Sequence, residues 1–353
     1  MFNNCFSGKR VLITGHTGFK GSWLALWLEM LGAEVTGYAL EPPTHPNHIS
    51  LLKLCGESVS GDVRDINHLK KVILDKQPHI VFHLAAQPLV RYSYQNPVET
   101  FETNVMGTVN LLETCRLIES LEGIIIITSD KCYENRELTR GYRENDTLGG
   151  NDPYSCSKGC AELVTTSYRR SFFSTPDKLE TESRVASVRA GNVIGGGDWG
   201  VDRLMTDVIR ATVTGESLIL RNPDAIRPWQ HVLDALSGYL LIGKHFLENK
   251  PVGGAWNFGP EQVTPFTVRE LVEMVSNLWK TKLEIRIEKS HLKETIFLGL
   301  DTGKAKKKLG WTPIWNIKES VGRTVDWFKA FYIDNSILSE KQIQDYMRRA
   351  SVA

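Results

Sequence analysis

The sequence predicts an α/β fold, a doubly wound parallel sheet between layers of helix, with a smaller, mixed α/β C-terminal lobe. Three observations predict it. Lys9-Arg-Val-Leu-Ile-Thr-Gly15 is a short strand ending in glycine, and Ser22-Trp-Leu-Ala-Leu-Trp-Leu-Glu-Met-Leu after it reads as a helix. Ile80-Val-Phe-His and Gly123-Ile-Ile-Ile-Ile-Thr are apolar without alternation, the pattern of strands buried on both faces. Ionisable residues begin abruptly at the end of the second run, with Ser129-Asp130-Lys131. In open sheets of this Rossmann type, ligands sit at the C-terminal ends of the strands.

A chain of 353 residues can bury a large core and hold two lobes. Its formal charge of +1 argues against binding nucleic acid by bulk electrostatics. No apolar run reaches the roughly 18 residues of a membrane span. The first ten residues lack a basic head followed by an apolar core, so they do not read as a signal peptide. Six cysteines without a Cys-x-x-Cys pair read as half-buried thiols in a reducing, cytoplasmic setting, and no metal is implied.

The elements follow in order. The turn Gly15-His-Thr-Gly18-Phe-Lys-Gly21 lies between the first strand and its helix. Its glycines permit a tight turn and close approach of a pyrophosphate, which the helix N-terminus favours. Gly15, Thr17, Gly18, Phe19, Lys20 and Gly21 are therefore candidate dinucleotide contacts. The second strand spans Ala33 to about Glu41, where an acid normally holds the adenosine ribose diol. Ala39 occupies that place and no arginine follows closely, which points to NAD rather than NADP, held with moderate affinity. Asp62, with Val63, ends a third strand and can accept from the adenine amino group; a turn aspartate is the other reading. Residues 67–76 form a helix. Leu84, Ala85 and Ala86 close the fourth strand and let backbone lie against a flat cofactor. A long helix runs from Asn96-Pro97 to about Ser120 and contains Asn104, a cofactor contact or a brace for the strand that carries Ser129.

Polar, glycine-rich residues 134–152 read as a loop over the site. A helix then begins near Tyr154 and continues to Ser171. Residues 183–199 include a strand, and the division into a dinucleotide-binding domain (1–190) and a substrate lobe (191–353) falls there, with 228–250 and 291–303 returning to the first domain. Helices at 203–214, 267–280 and 316–331 and strands at 217–221 and 283–287 build the remainder.

Tyr154 and Lys158 stand four apart, on one helix face. A lysine ammonium beside a phenol favours phenolate, lowering the phenol from about 10. Such a phenolate can take a proton from an alcohol as hydride leaves for NAD. Ser129, Asp130, Lys131, Tyr154 and Lys158 are the candidate catalytic residues.

The glycine turn, His83-Leu-Ala-Ala, Tyr154-x-x-x-Lys158 and Arg189-x-x-Asn192-Val resemble the extended short-chain dehydrogenase/reductases over nearly the whole chain. Within them, Asp130-Lys131 resembles the site of sugar-nucleotide 4,6-dehydratases. Most of those have Asp-Glu here; lysine resembles the branch that acts on CDP-glucose, as do Ser129-Asp-Lys-Cys-Tyr-Glu-Asn135, Gly195-Gly-Gly-Asp-Trp199 and Arg227-Pro-Trp-Gln-His-Val232. The resemblance implies an internal redox cycle on NAD. Ser129 would polarise the substrate oxygen, Tyr154 would deprotonate the C4 hydroxyl, Lys131 would take the C5 proton, and protonated Asp130 would help the C6 hydroxyl leave. For that, Lys131 must be desolvated or near a cation such as Lys158; a salt bridge from Lys131 to Glu134 is the other reading. Gln87, Asn192, Arg203, Arg221 and Arg227 would hold sugar and diphosphate. The resemblance also implies a homodimer through helices near 97–120 and 153–171, possible further assembly to a tetramer, and a product destined for dideoxyhexoses of a bacterial surface polysaccharide. A dehydratase for another nucleotide sugar, a 4-epimerase and an NAD-sensing binding protein are the alternatives. An epimerase needs no elimination pair, and a sensor needs no catalytic triad.

Overall fold

The computed structural model describes residues 2–136, 138, 140–174, 182–261, 266–288 and 298–351; the expected return of 291–297 lies outside them. The first half runs β1 (Arg10–Thr14), α1 (Phe19–Met30), β2 (Glu34–Ala39), α2 (His48–Leu51), β3 (Glu57–Ser60), α3 (Ile66–Lys76) and β4 (Ile80–His83). It continues with α4 (Val90–Gln95), α5 (Pro97–Phe101), a π-helical turn (Glu102–Met106), α6 (Gly107–Cys115), β5 (Gly123–Ile127), a 3-10 turn (Asp130–Cys132), α7 (Pro153–Phe172) and β6 (Val185–Ala190). The second half comprises β7 (Val193–Ile194), α8 (Leu204–Thr214), β8 (Leu218–Leu220), β9 (Gln230–His231), α9 (Val232–Leu247) and β10 (Gly254–Phe258). It closes with α10 (Val268–Trp279), β11 (Ile285–Ile287), α11 (Gly303–Leu309), α12 (Ile317–Asp334) and α13 (Ser339–Ala350).

Seven strands form one parallel sheet in the order β10-β6-β5-β4-β1-β2-β3. The order reverses between β1 and β4, which opens a crevice at their C-terminal ends. Both faces of the sheet are covered. Val11, Ile13, Ile125 and Ile127 enter one apolar core, while Leu12, Ile124 and Ile126 enter another. Alternate side chains thus meet different helix layers, which is why these runs carry no polar face.

β10 returns to the large sheet beside β6, so the chain re-enters that layer beyond residue 190. Two small parallel pairs, β8 with β11 and β7 with β9, lie outside it. The core is continuous across both parts and includes Trp23, Trp256, Trp327 and Tyr346. α13, which periodicity did not suggest, packs on α1: the Trp27 and Tyr346 rings meet edge to face at 5.5 Å. His48 joins the same two helices, with Nδ1 at 2.8 Å from Ser22 Oγ and Nε2 at 2.8 Å from Ser339 Oγ.

One polar knot fixes the end of the sheet. Arg189 on β6 donates from Nε to Glu162 Oε1 at 2.9 Å and from Nη2 to Oε2 at 2.7 Å, and both side chains are almost fully buried (3% and 1% exposed). Thr128 and Ser187 also donate to Glu162, at 2.5 and 2.7 Å. Removing one partner of such a pair strands a buried charge, at a cost of about 3–5 kcal/mol. Glu162→Ala should therefore lower unfolding free energy by that order in urea denaturation, and pairing it with Arg189→Met should recover part of the loss. A loss below about 1 kcal/mol in the single variant would show that the pair does not hold these elements.

Candidate active site

The turn after β1 has the form a dinucleotide needs. Gly15 has φ +77°, and a Cβ there would stand 2.6 Å from the Ala85 amide nitrogen. At Gly21 a Cβ would stand 2.2 Å from the Gly15 carbonyl oxygen. At Gly18 the nearest atom would be 3.5 Å away, so the chain itself leaves that approach open. No side chain caps α1 and its first turn carries no acid. Its terminal N–H groups can therefore face a phosphate. These residues fit a bound dinucleotide. Thr17 is turned to the end of β2, where its hydroxyl donates to the Leu40 carbonyl at 2.9 Å. Ala39 is buried and Glu41 exposed, so β2 ends without a carboxylate in the usual ribose position. Asp62 is engaged by Arg64, which donates from its backbone at 2.9 Å and from its guanidinium at 2.9 and 2.6 Å. Val63 is buried against Gly107.

Asn104 sits in the π-helical turn as a saturated brace. Its Oδ1 accepts from Gln87 N at 2.8 Å, and its Nδ2 donates to Gln87 O at 3.0 Å and to Ser157 Oγ at 2.8 Å. It thus braces the loop after β4 to α7, not to the strand carrying Ser129. Gln87 likewise gives its amide hydrogens to Leu89 O and Thr100 Oγ1, at 3.1 and 2.9 Å, and its Oε1 accepts from Leu89 N at 2.5 Å, so each polar atom of its side chain is engaged within the protein.

Ser129, Asp130, Tyr154 and Lys158 converge where β5 ends and α7 begins. Asp152 caps α7 by accepting from Ser155 N at 2.9 Å, and Pro153 starts the helix. Ser129 Oγ donates to Asp130 Oδ1 at 2.9 Å and accepts from Lys131 N at 3.2 Å. The Tyr154 phenol lies against the Ser129 hydroxyl. Lys131 is half-buried, its ammonium 5.7 Å from the centre of the Tyr154 ring. Glu134 pairs with Arg136 at 2.5 Å rather than with Lys131.

The charges correct one expectation. Burial pushes the Tyr154 phenol up to about 12, with Ser129 opposing and Asp130 adding to the rise. Lys158 is turned away to donate to the Ile127 carbonyl at 3.4 Å. Burial, reinforced by the Lys20 ammonium, brings Lys158 down to about 7. The cation beside Lys158 is thus Lys20, from the glycine turn. Burial and then Arg203 bring Lys20 to about 8. Burial raises the Asp130 carboxyl, against Lys131, Ser129 and Arg227. Asp130 is therefore disposed to carry a proton, as a general acid must.

Arg203 reaches this group and is neutralised by Asp198, its Nη1 donating at 2.7 Å. Arg227 acts on Asp130, whereas Arg221 donates to Asp202 at 3.3 Å. The Asn192 carbonyl accepts from Gln230 N at 3.0 Å where β7 meets β9. Two residues of this network were not anticipated. Glu162 lies eight residues after Tyr154, on the face of Tyr154 and Lys158, and that spacing could have revealed it. Asp198 lay in a glycine-rich run whose fold could not be read from sequence.

A glycine turn on a Rossmann sheet with Ser129, Tyr154 and Lys158 gathered beside it defines a short-chain dehydrogenase/reductase of the extended kind. The family model described as GDP-mannose 4,6 dehydratase matches residues 12–324, and the chain belongs to that family. It is 49% identical to CDP-glucose 4,6-dehydratase of Salmonella typhimurium over 98% of both chains. It is 28% identical to CDP-paratose 2-epimerase of Salmonella typhi, over 90% of this chain and 98% of that one. Among solved structures, dTDP-glucose 4,6-dehydratase from Bacillus anthracis in complex with NAD superposes with a TM-score of 0.77 at 21% identity, covering 92% of this chain and 98% of that one.

The lowered Lys158 has a measurable consequence. An unfolded lysine keeps its proton to about pH 10, whereas folded Lys158 releases it near 7. Between those values the unfolded chain binds the extra proton, so this group makes stability rise with pH, by at most about 1.4 kcal/mol per unit. Lys158→Met should flatten the rise in urea midpoint of the cofactor-free protein between about pH 7.5 and 9.5. An unchanged slope would mean that Lys158 is charged in the fold.

Proposed function

We propose that this chain is an NAD-dependent hydro-lyase that converts CDP-glucose to CDP-4-dehydro-6-deoxyglucose and water. The observation that carries the reading is the adjacent Asp130 and Lys131 at the end of β5, beside the Ser129, Tyr154 and Lys158 set of a dehydrogenase. The set alone supports oxidation of an alcohol; the adjacent acid and base add an elimination. The 49% identity to a CDP-glucose 4,6-dehydratase supports the choice of nucleotide sugar.

The chain's residues divide the work. The α1 N-terminus with Gly15, Gly18 and Gly21 would hold the pyrophosphate of NAD, and Lys158 the nicotinamide ribose. Bound NAD supplies a hydride acceptor for C4, a donor for C6 and, when oxidised, a positive charge beside the phenol. Tyr154, as phenolate, takes the C4 hydroxyl proton while Ser129 orients the oxygen. Lys131 takes the C5 proton, acidified by the neighbouring ketone, and later returns it. Asp130 gives its proton to the departing C6 oxygen. Arg203, Arg221 and Arg227 face the diphosphate, and Asn192 and Gln87 the sugar. Exposed Val98, Met106 and Leu163 lie on α5, its π-helical continuation and α7, and we place the homodimer interface there. Among the described residues no helix is long and apolar enough to cross a membrane, in keeping with our assignment of a cytoplasmic enzyme.

NAD-loaded protein should form an alkali-sensitive 4-keto product from CDP-glucose; turnover of dTDP-glucose with none of CDP-glucose would overturn the substrate. Lys131→Met should lose about 10²–10⁴-fold in turnover while still oxidising C4, so that reduced nicotinamide absorbance builds up. Undiminished water elimination by this variant would remove Lys131 from the base role.

A further inference from the structure

We propose that the Ser129 hydroxyl carries a proton from the Tyr154 phenol to the Asp130 carboxylate, restoring the site between turnovers. The inference rests on the dehydration proposed above. In the oxidation, the Tyr154 phenolate would gain the proton of the C4 hydroxyl, and the freed O–H electron pair would form the carbonyl, with bound NAD supplying the acceptor for the C4 hydride. In the elimination, Lys131 takes the C5 proton, that bonding pair forms the C5–C6 double bond, and the C6–O bond breaks. The departing oxygen takes the Asp130 proton and leaves as water. C6 would receive the hydride that the bound cofactor supplies, and Lys131 restores its proton at C5. The redox balance then closes, and Lys131 is unchanged. Tyr154 has one proton too many and Asp130 one too few. A neutral phenol cannot begin the next oxidation. The cycle closes by moving one proton, with no oxidant or further reactant.

The geometry supplies the path. Ser129 Oγ donates its only hydrogen to Asp130 Oδ1 at 2.9 Å. Oγ also accepts from Lys131 N at 3.2 Å, which leaves it one lone pair toward the neighbouring phenol. The chain is phenol to hydroxyl to carboxylate. As the Oγ–H proton passes to Asp130, the phenolic proton passes to Oγ, and serine ends as a neutral hydroxyl. Other exits are poor. Tyr154, Ser129 and Asp130 are 7%, 9% and 2% exposed, and Asp130 Oδ2 is buried with no hydrogen-bond partner among the described residues. Burial raises the Asp130 carboxyl and the Tyr154 phenol alike, the phenol up to about 12 with Ser129 opposing the rise.

Ser129 also touches the substrate oxygen in the proposed reaction, so a plain loss of activity in Ser129→Ala would not separate the two roles. The ratio of first-turnover rate to steady-state rate does. Lost orientation slows every turnover alike; a lost relay slows all but the first. NAD-loaded wild type, Ser129→Thr and Ser129→Ala, mixed with excess CDP-glucose in rapid quench, give this ratio. In Ser129→Ala we expect one product per site, then a rate at least tenfold lower, with the cofactor oxidised in the slow phase. Imidazole buffer should speed the later turnovers of this variant but not its first. Ser129→Thr, which keeps the hydroxyl, should show the wild-type ratio. An unchanged ratio in Ser129→Ala, or a slow phase with reduced cofactor, would overturn the relay. Wild type that makes no 4-keto product would instead overturn the parent reading.

Discussion

The buried pair of Arg189 and Glu162 is the constraint on which the site depends. It joins β6 to α7, and through Thr128 it reaches the end of β5. Arg189 Nη1 also donates to Tyr133 Oη at 2.7 Å and to the Glu144 carbonyl at 3.1 Å, so the loop after the 3-10 turn is held by the same guanidinium. Tyr154, Lys158 and Glu162 follow at intervals of four along one helix. Fixing Glu162 therefore fixes the rotation of α7, and with it the direction of the phenol and the ammonium. An apolar pair could fill this volume at similar stability. It would not set four elements in angular register.

The electrostatics show how a crowded set of cations is tolerated. Lys20, Lys158 and Arg203 lie close enough to act on one another in sequence. Asp198 compensates Arg203, and Glu162 partly offsets the effect on Lys158. The two lysines respond by holding their protons less firmly, which costs less than keeping three full charges out of water. Asp130 is perturbed in the opposite direction, by burial more than by its neighbours. One small volume thus contains amines disposed to lose protons and a carboxyl disposed to keep one.

Much of this was legible because the signals are local. The glycine turn, the uninterrupted apolar strands and the four-residue spacing of Tyr154 and Lys158 each depend on adjacent residues and elementary geometry. What was not legible depends on long-range contact. The phenol was expected to be lowered by Lys158, but spacing along a helix does not say which way an ammonium points, and this one turns to Ile127 O. The helix expected from 97 to 120 ends as α6 at Cys115 and is interrupted by a π-helical turn, which Asn104 holds through Gln87 and Ser157. Nothing in Glu-Thr-Asn-Val-Met foretells it. Asp198 finds Arg203 five residues on only because the intervening Trp199-Gly200-Val201-Asp202 folds back.

The docking of α13 on α1 bears on how the chain comes to be active as it is made. α1 starts at the glycine turn, and its far side is covered by Tyr346 and tied through His48 to Ser339. During synthesis, that side of the helix stays open until residues near 339–350 have left the ribosome. A nascent chain can therefore form its central strands early and yet lack the rigid helix that a dinucleotide requires. Cofactor capture becomes one of the closing events of folding, and chains stopped short of α13 would expose Trp27, a large apolar surface by which quality control can recognise them.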